Sequence, residues 1–335
     1  MTVGLGLGLV VAIVLSVSVG AVPLPFEKIL RIILHNTFGI TLGEWRPVEE
    51  QIVWEFRLPR VLLAAIVGAA LSVSGTVLQA MVRNPLADPY ILGISSGASI
   101  AAVAVITLGS MALGGVSVSI AAFLGSLSAM VLVYFLAQQR GRVTPTRLIL
   151  AGVAVGYVLQ AFTSYLVLRA AQPGGSAVAS VLYWLAGNLG GAKWQYLGTP
   201  ALILAVASIW LLARARPLNA LLAGDESAVG LGINLERFRQ ELFVVTSLLV
   251  GVAVAISGAI GFVGLMIPHI VRFLVGADHR RVLPTAALLG AVYLVLTDLL
   301  SRVIIAPSEL PVGIVTAALG GPFFLWLLRR GRGET

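Results

Sequence analysis

Long apolar runs alternate with short polar breakers along almost the whole chain. The runs lie near 2–22, 58–82, 91–108, 116–137, 148–168, 196–213, 240–258, 262–276, 284–301 and 311–328, and Pro, Gly and Arg gather between them. An α-helix rises about 1.5 Å per residue, so a hydrocarbon core of about 30 Å needs about 20 apolar residues per crossing. The pattern therefore predicts an all-α integral membrane protein of about ten transmembrane helices, in one domain over residues 1–335. The eighth run is short and carries Pro268, which predicts a broken helix that crosses only part of the bilayer unaided. The first run begins without Lys or Arg and has no clear small-x-small site before Pro23, so it reads as a span and not as a cleaved signal.

Composition agrees with the periodicity. Hydrophobic residues make up 59% of the chain and charged residues 11%, against about 25% charged in soluble domains. There is no cysteine, which removes disulfides, thiolate metal sites and cysteine nucleophiles from consideration. The net charge of +8 is scattered through short loops, as in loops facing anionic lipid, and no soluble basic module exists to bind nucleic acid.

The charges also predict orientation. An even number of crossings puts both termini on one side. With that side cytoplasmic, the inner segments 83–90, 138–147, 214–239, 277–283 and the tail from 329 hold 13 of the 22 Lys and Arg, in the sense of the positive-inside rule. The opposite side is less basic but not bare. Residues 23–60 mix Lys28, Arg31, Arg46, Arg57 and Arg60 with Glu27, Glu44, Glu49, Glu50 and Glu55, the composition of a folded surface cap.

The segment from Gly68 to Val77 and the segment from Gly251 to Ile260 share the pattern Gly-x-Ala-x-x-x-Ser-Gly-x-Val/Ile. They fall on the second and seventh crossings, which run in opposite directions. An inverted internal repeat produces this arithmetic, and so does independent use of small residues where helices pack closely.

Arg57-Leu58-Pro59-Arg60, Gly68-Ala69-Ala70-Leu71, Ser74-Gly75, Gln79, Asn84-Pro85-Leu86-Ala87-Asp88-Pro89 and Leu92-Gly93 resemble the FecCD permeases, the transmembrane subunits of type II ABC importers for iron-siderophores, haem and cobalamin. The similarity continues through Arg147-Leu148-Ile149-Leu150-Ala151-Gly152 and through Gly258, Gly261-Phe262, Gly264-Leu265, Pro268-His269 and Arg272. It closes with Asp278-His279-Arg280, Glu309-Leu310-Pro311, Gly313, Gly320, Pro322 and Phe324. The resemblance implies a multi-pass permease in a bacterial cytoplasmic membrane, both termini inside, in contact with membrane lipid. It also implies a homodimer, two ATP-binding cassette ATPases, an extracytoplasmic binding protein and alternating access. Its cargo is a metal chelate, with an iron-siderophore or haem expected first and cobalamin as the alternative.

Residue chemistry bears on each implication. Lys28 and Lys193 are the only lysines and neither follows a glycine-rich phosphate loop, so the chain is expected to bind no cofactor and to leave ATP and Mg to a partner. The polar insert 214–239 contains Gly224, Asp225, Glu226, Ala228 and Gly232. Two short helices broken by glycine would make an elbow for an ATPase cleft, similar to the family's coupling loop with Asp225 where Glu is usual; a solvated linker is the plainer reading. Arg57, Arg60 and Arg302 stand at span ends, where guanidinium can pair bidentately with carboxylates. The resemblance makes them the residues that receive the binding protein, while snorkelling interfacial arginines would look the same. Asp298 lies inside a span, four residues before Arg302, and is expected to hold that arginine as an ion pair in preference to relaying protons. Resemblance places the inner gate at 140–147, with Thr146 at the gate and Gly152 and Gly156 giving room on the pathway, or serving helix packing. His35, His269 and His279 show no ligand spacing, so no metal site is expected, and no catalytic cluster points to an enzyme. An ion-gradient secondary transporter is the competing class, and the glycine-broken elbow is the feature it leaves unexplained.

Overall fold

A computed structural model describes residues 1–20, 22–139, 142–171 and 177–330. The chain is helical almost throughout: α1 (Thr2–Ser18), α2 (Phe26–Phe38), α3 (Pro47–Glu50), α4 (Leu58–Val82), α5 (Ile94–Leu108), α6 (Val118–Ala137), α7 (Pro145–Ala170), α8 (Val178–Leu185), α9 (Gly198–Ala213), α10 (Ala215–Ala223), α11 (Asp225–Gly230), α12 (Leu235–Ser257), α13 (Val263–Val275), α14 (His279–Val303) and α15 (Val312–Arg330). A π-helical stretch, Gln51–Arg57, fuses α3 to α4, so the second crossing belongs to one helix from Pro47 to Val82 that starts well before the apolar run. Among the described residues, six helical stretches, those ending in α4, α6, α7, α9, α12 and α14, are long and apolar enough to cross a membrane; α1, α5, α13 and α15 are shorter apolar helices. Strands β1 (Gln138–Gln139) and β2 (Arg142–Val143) form a small antiparallel pair in the loop before α7, whose Arg140 and Gly141 lie outside the described residues.

Burial sorts the crossings into a centre and a periphery. The most apolar window of the α4 helix is 83% buried, that of α12 67% and that of α14 56%, against 28% for α6 and 22% each for α7 and α9. α4 can sit at the centre because its small residues let neighbouring backbones close in. A Cβ on Gly68 would overlap the carbonyl of Gly290 in α14, and one on Gly75 the backbone of Gly264 in α13. Close crossings of this kind gain dispersion and cost little side-chain entropy. The second copy of the Gly-x-Ala-x-x-x-Ser-Gly pattern is used in the same way: Gly251 meets Ser126 of α6, and Gly258 (φ +67°) meets the Trp184 carbonyl. Both copies thus serve close helix packing.

α13 departs from expectation, because it runs unbroken through Pro268. Proline has no N–H to offer the carbonyl four residues back, that of Gly264. Gln79, buried in α4, supplies the missing donor: its Nε2 lies 3.4 Å from the Gly264 oxygen and 3.2 Å from that of Leu265. Its Oε1 in turn accepts from Arg272, one turn beyond the proline. A side chain from the neighbouring helix thus keeps a Pro-bearing helix intact. With 13 residues, α13 is about 20 Å long, short of a full crossing.

Candidate functional site: two polar clusters at opposite ends of α4 and α14

α1 ends at Ser18 with its last carbonyls unpaired within the helix, a concentration of negative partial charge. Two arginines answer it. Arg57, delivered by the π-helical stretch, donates to the carbonyls of Val17 (2.8 Å), Ser18 (3.3 Å) and Val22 (2.5 Å). Arg302, near the end of α14, donates to the Ser16 carbonyl (2.9 Å) and hydroxyl (2.6 Å) and to the Val19 carbonyl (3.2 Å). Asp298, fully buried, joins the set: its carboxylate accepts from Arg60 Nε at 3.0 and 3.1 Å and pairs with Arg302 Nε at 3.2 Å. Glu309 closes the cluster on Arg60 at 2.7 Å.

Arg57, Arg60 and Arg302 converge, but contrary to the expectation from their span-end positions they do not stand free in water. Arg57 and Arg302 are 8% and 9% exposed, and their donors are spent largely on α1. The three line a hollow of about 330 Å³ together with Phe56, Pro307 and Glu309. The Asp298–Arg302 pair is present, yet Asp298's closer partner is Arg60, 238 positions away. Three cations against two carboxylates leave the hollow with one net positive charge.

The far ends of the same helices carry the second cluster. Gly224, at φ +123°, separates α10 from α11, so 214–239 is a two-helix elbow and not a linker. Asp225 faces inward, bonded to Arg239 (2.8 Å) and paired with Arg83 at the end of α4 (3.4 Å). Ala228 is buried, whereas Glu226 and Gly232 are exposed. Val229 and Leu231 are 59% and 73% exposed and give the elbow an apolar outer surface. Asn219 of α10 reaches the turn before α14, donating to Asp278 at 2.7 Å. That bond, with the Arg280 backbone N–H, holds the Asp278 carboxyl below the usual carboxylate range.

Residues 8–330 match the FecCD transport family. The chain belongs to that family. It is 41% identical over 324 residues to the uncharacterised ABC transporter permease protein YvrB of Bacillus subtilis, covering 96% of this chain and 91% of the relative. It is 47% identical over 278 residues to the cobalamin import system permease protein BtuC of Halobacterium salinarum, covering 83% and 73%. A solved structure of a metal-chelate type ABC transporter in an inward-facing conformation superposes with a TM-score of 0.83 at 32% identity, over 98% of both chains. This FecCD protein is accordingly a membrane-spanning permease subunit of the ABC importer class.

Thr146, Gly152 and Gly156, the residues that resemblance assigned to the gate and pathway, sit on α7. Thr146 is exposed in its first turn. Gly152 packs against the 3-10 turn Pro89–Leu92: a Cβ there would lie 2.5 Å from the Ile91 carbonyl and 2.8 Å from Leu92 Cα. Gly156, on the same side, is 3.6 Å from Ser96 Oγ by the same measure, an ordinary contact. Among the described residues no three His, Cys, Asp or Glu gather into a metal-binding group. His269 packs edge-on to Phe273 with its ring nitrogens unpartnered by any described residue.

Sequence reasoning missed Glu309, Ser16 and Asn219 as members of the two clusters. Glu309 had a signal, an acid at the start of the last span, but its partner could not be read from spacing. Asn219 had none, being one polar residue in a helix of mixed composition.

Proposed function

We propose that this chain is the permease of a cobalamin importer, working as a homodimer with two ATPases and an extracytoplasmic binding protein. The observation that carries the cargo is the 47% identity to a permease named for cobalamin import. It favours cobalamin over the iron chelate that family resemblance put first. The two-ended architecture supports the mechanism. A cation-rich hollow at one end of α4 and α14 suits the carboxylates of a docking protein, and an elbow with an exposed apolar tip at the other suits a cleft on an ATPase. The exposed apolar face of α7, with Leu150, Tyr157, Phe162 and Leu168, fits burial against lipid or a second copy. ATP binding would close the ATPases, move the elbows and turn the pathway between the two permeases inward.

Asp298 gives little support to an ion-gradient carrier, because both of its oxygens are engaged by arginines. The test is uptake into vesicles holding permease, ATPases and binding protein, with cobalamin, haem and a ferric siderophore offered in turn. ATP-dependent accumulation of cobalamin alone is expected. Uptake driven by an ion gradient without ATP, or accumulation of an iron chelate in preference, would overturn the reading.

A further inference from the structure

The two polar clusters share one helix. α14 is continuous from His279 to Val303, 25 residues or about 37 Å, and contributes to both. At its outer end Asp298 and Arg302 bind Arg60 and the end of α1. At its inner end the helix is capped from two sources. Asp278 accepts the Arg280 N–H at 3.1 Å, and the next orphan donor, the His279 N–H, goes to Asn219 Oδ1 of the elbow at 2.9 Å. The same Asn219 oxygen lies 2.7 Å from His279 Nδ1, and its amide nitrogen donates to Asp278 at 2.7 Å. His279 is only 2% exposed, whereas Asp278 and its bond to Asn219 lie at the surface, so the clasp spans the edge of the packed interior. Midway, Gly290 is pressed so closely against Gly68 and Ser72 of α4 that a Cβ there would overlap both, although Pro284, nearer the inner end, leaves one carbonyl of the helix without its usual donor.

We infer that α14 is the rod through which binding-protein docking is sensed at the elbow, and that Asn219 is the positioning residue that clasps it there. Close-packed helices move as units and do not deform gradually. A shift imposed at Arg60 and Arg302 therefore reaches Asp278 and His279, and through Asn219 it reaches α10. Linkage makes the effect reciprocal: whatever factor docking applies to the nucleotide state, the nucleotide state applies to docking affinity. The inference rests on the coupling role proposed for 214–239, and goes beyond it by naming the connection.

The test uses the complete importer in lipid nanodiscs, with the Asn219→Ala, Asp278→Ala and Asp278→Asn chains beside the natural one. Two quantities are read: the ratio of ATP hydrolysis with and without binding protein, and the affinity of the binding protein with and without a non-hydrolysable ATP analogue. Alanine at either position is expected to reduce the coupling factor at least about fivefold, the low end for allosteric coupling, while the ATPases still copurify. Asn at 278 keeps the acceptor and is expected to restore it. Should Asn219→Ala not assemble, the two Asp278 variants carry the comparison alone. Natural coupling in both alanine variants would overturn the inference, and so would equal loss with Asp278→Ala and Asp278→Asn. Failure of ATPases to copurify with the natural chain would instead sink the coupling role on which it rests.

Discussion

Replacing Asp298 with Ala removes the carboxylate that joins three helices. Its oxygens are fully enclosed and accept from Arg60 at 3.0 and 3.1 Å, with Arg302 Nε at 3.2 Å. Deleting one partner of a buried pair costs about 3–5 kcal/mol, because the surviving charge stays desolvated. The cost here is lower, since Arg60 keeps Glu309 and Arg302 keeps Ser16 and Val19. Arg60 also opens onto the hollow. Those acceptors bring the expected loss to about 2–3 kcal/mol for Asp298→Ala. Asp298→Asn keeps the shape and one acceptor and loses only charge, for about 1–1.5 kcal/mol. Reversible unfolding in mixed detergent micelles measures both. A double-mutant cycle with Arg302→Met isolates the pair. A loss below about 1 kcal/mol for the alanine variant would refute the view that this carboxylate holds α1, α4 and α14 together. A shifted pH profile of uptake in the Asn variant, at unchanged stability, would show a proton relay instead.

Four further outcomes are expected. Gln79→Leu strips the Gly264 carbonyl of its substitute donor and should cost about 1–3 kcal/mol; Pro268→Ala returns a backbone N–H to that carbonyl, so the double variant should recover part of the loss in the same unfolding assay. Gly290→Val drives a side chain into the backbone of α4 and should cost at least the roughly 1–3 kcal/mol of overpacking, seen as a lowered melting temperature or failure to assemble. Arg60→Gln should weaken binding-protein affinity about tenfold at low ionic strength and much less at high, because the lost interaction is a screened charge pair; equal weakening at both would point to lost shape. Asp278 has its folded-state pKa lowered, first by Asn219 and then by the Arg280 N–H, so its stabilisation is present above the ordinary aspartate range and lost as pH falls through the lowered value. The melting-temperature gap between the natural chain and Asp278→Ala should therefore hold from neutral pH to about 4 and close below that.

What the sequence by itself determined is local. Apolar runs of about 20 residues read as helices that lie in a bilayer, so the membrane class followed from neighbouring residues alone, and six of the ten runs fall on described helices long and apolar enough to cross. Gly224 announced the break between α10 and α11 for the same reason, because its φ of +123° is conformationally open to glycine and to few others. The absence of a phosphate loop is equally local. The tertiary structure decided every matter of partnership. Arg57 and Arg302 belong to the end of α1 and Asp298 belongs first to Arg60, 238 positions away. Gln79 repairs the carbonyl that Pro268 leaves open, and Gly152 meets the turn Pro89–Leu92. Spacing along a helix reveals which residues share a face with their neighbours four positions on. Which distant polar group meets them is set by how helices cross, and inside a membrane that meeting is enforced, because a buried charge or carbonyl left without a partner is too costly to keep.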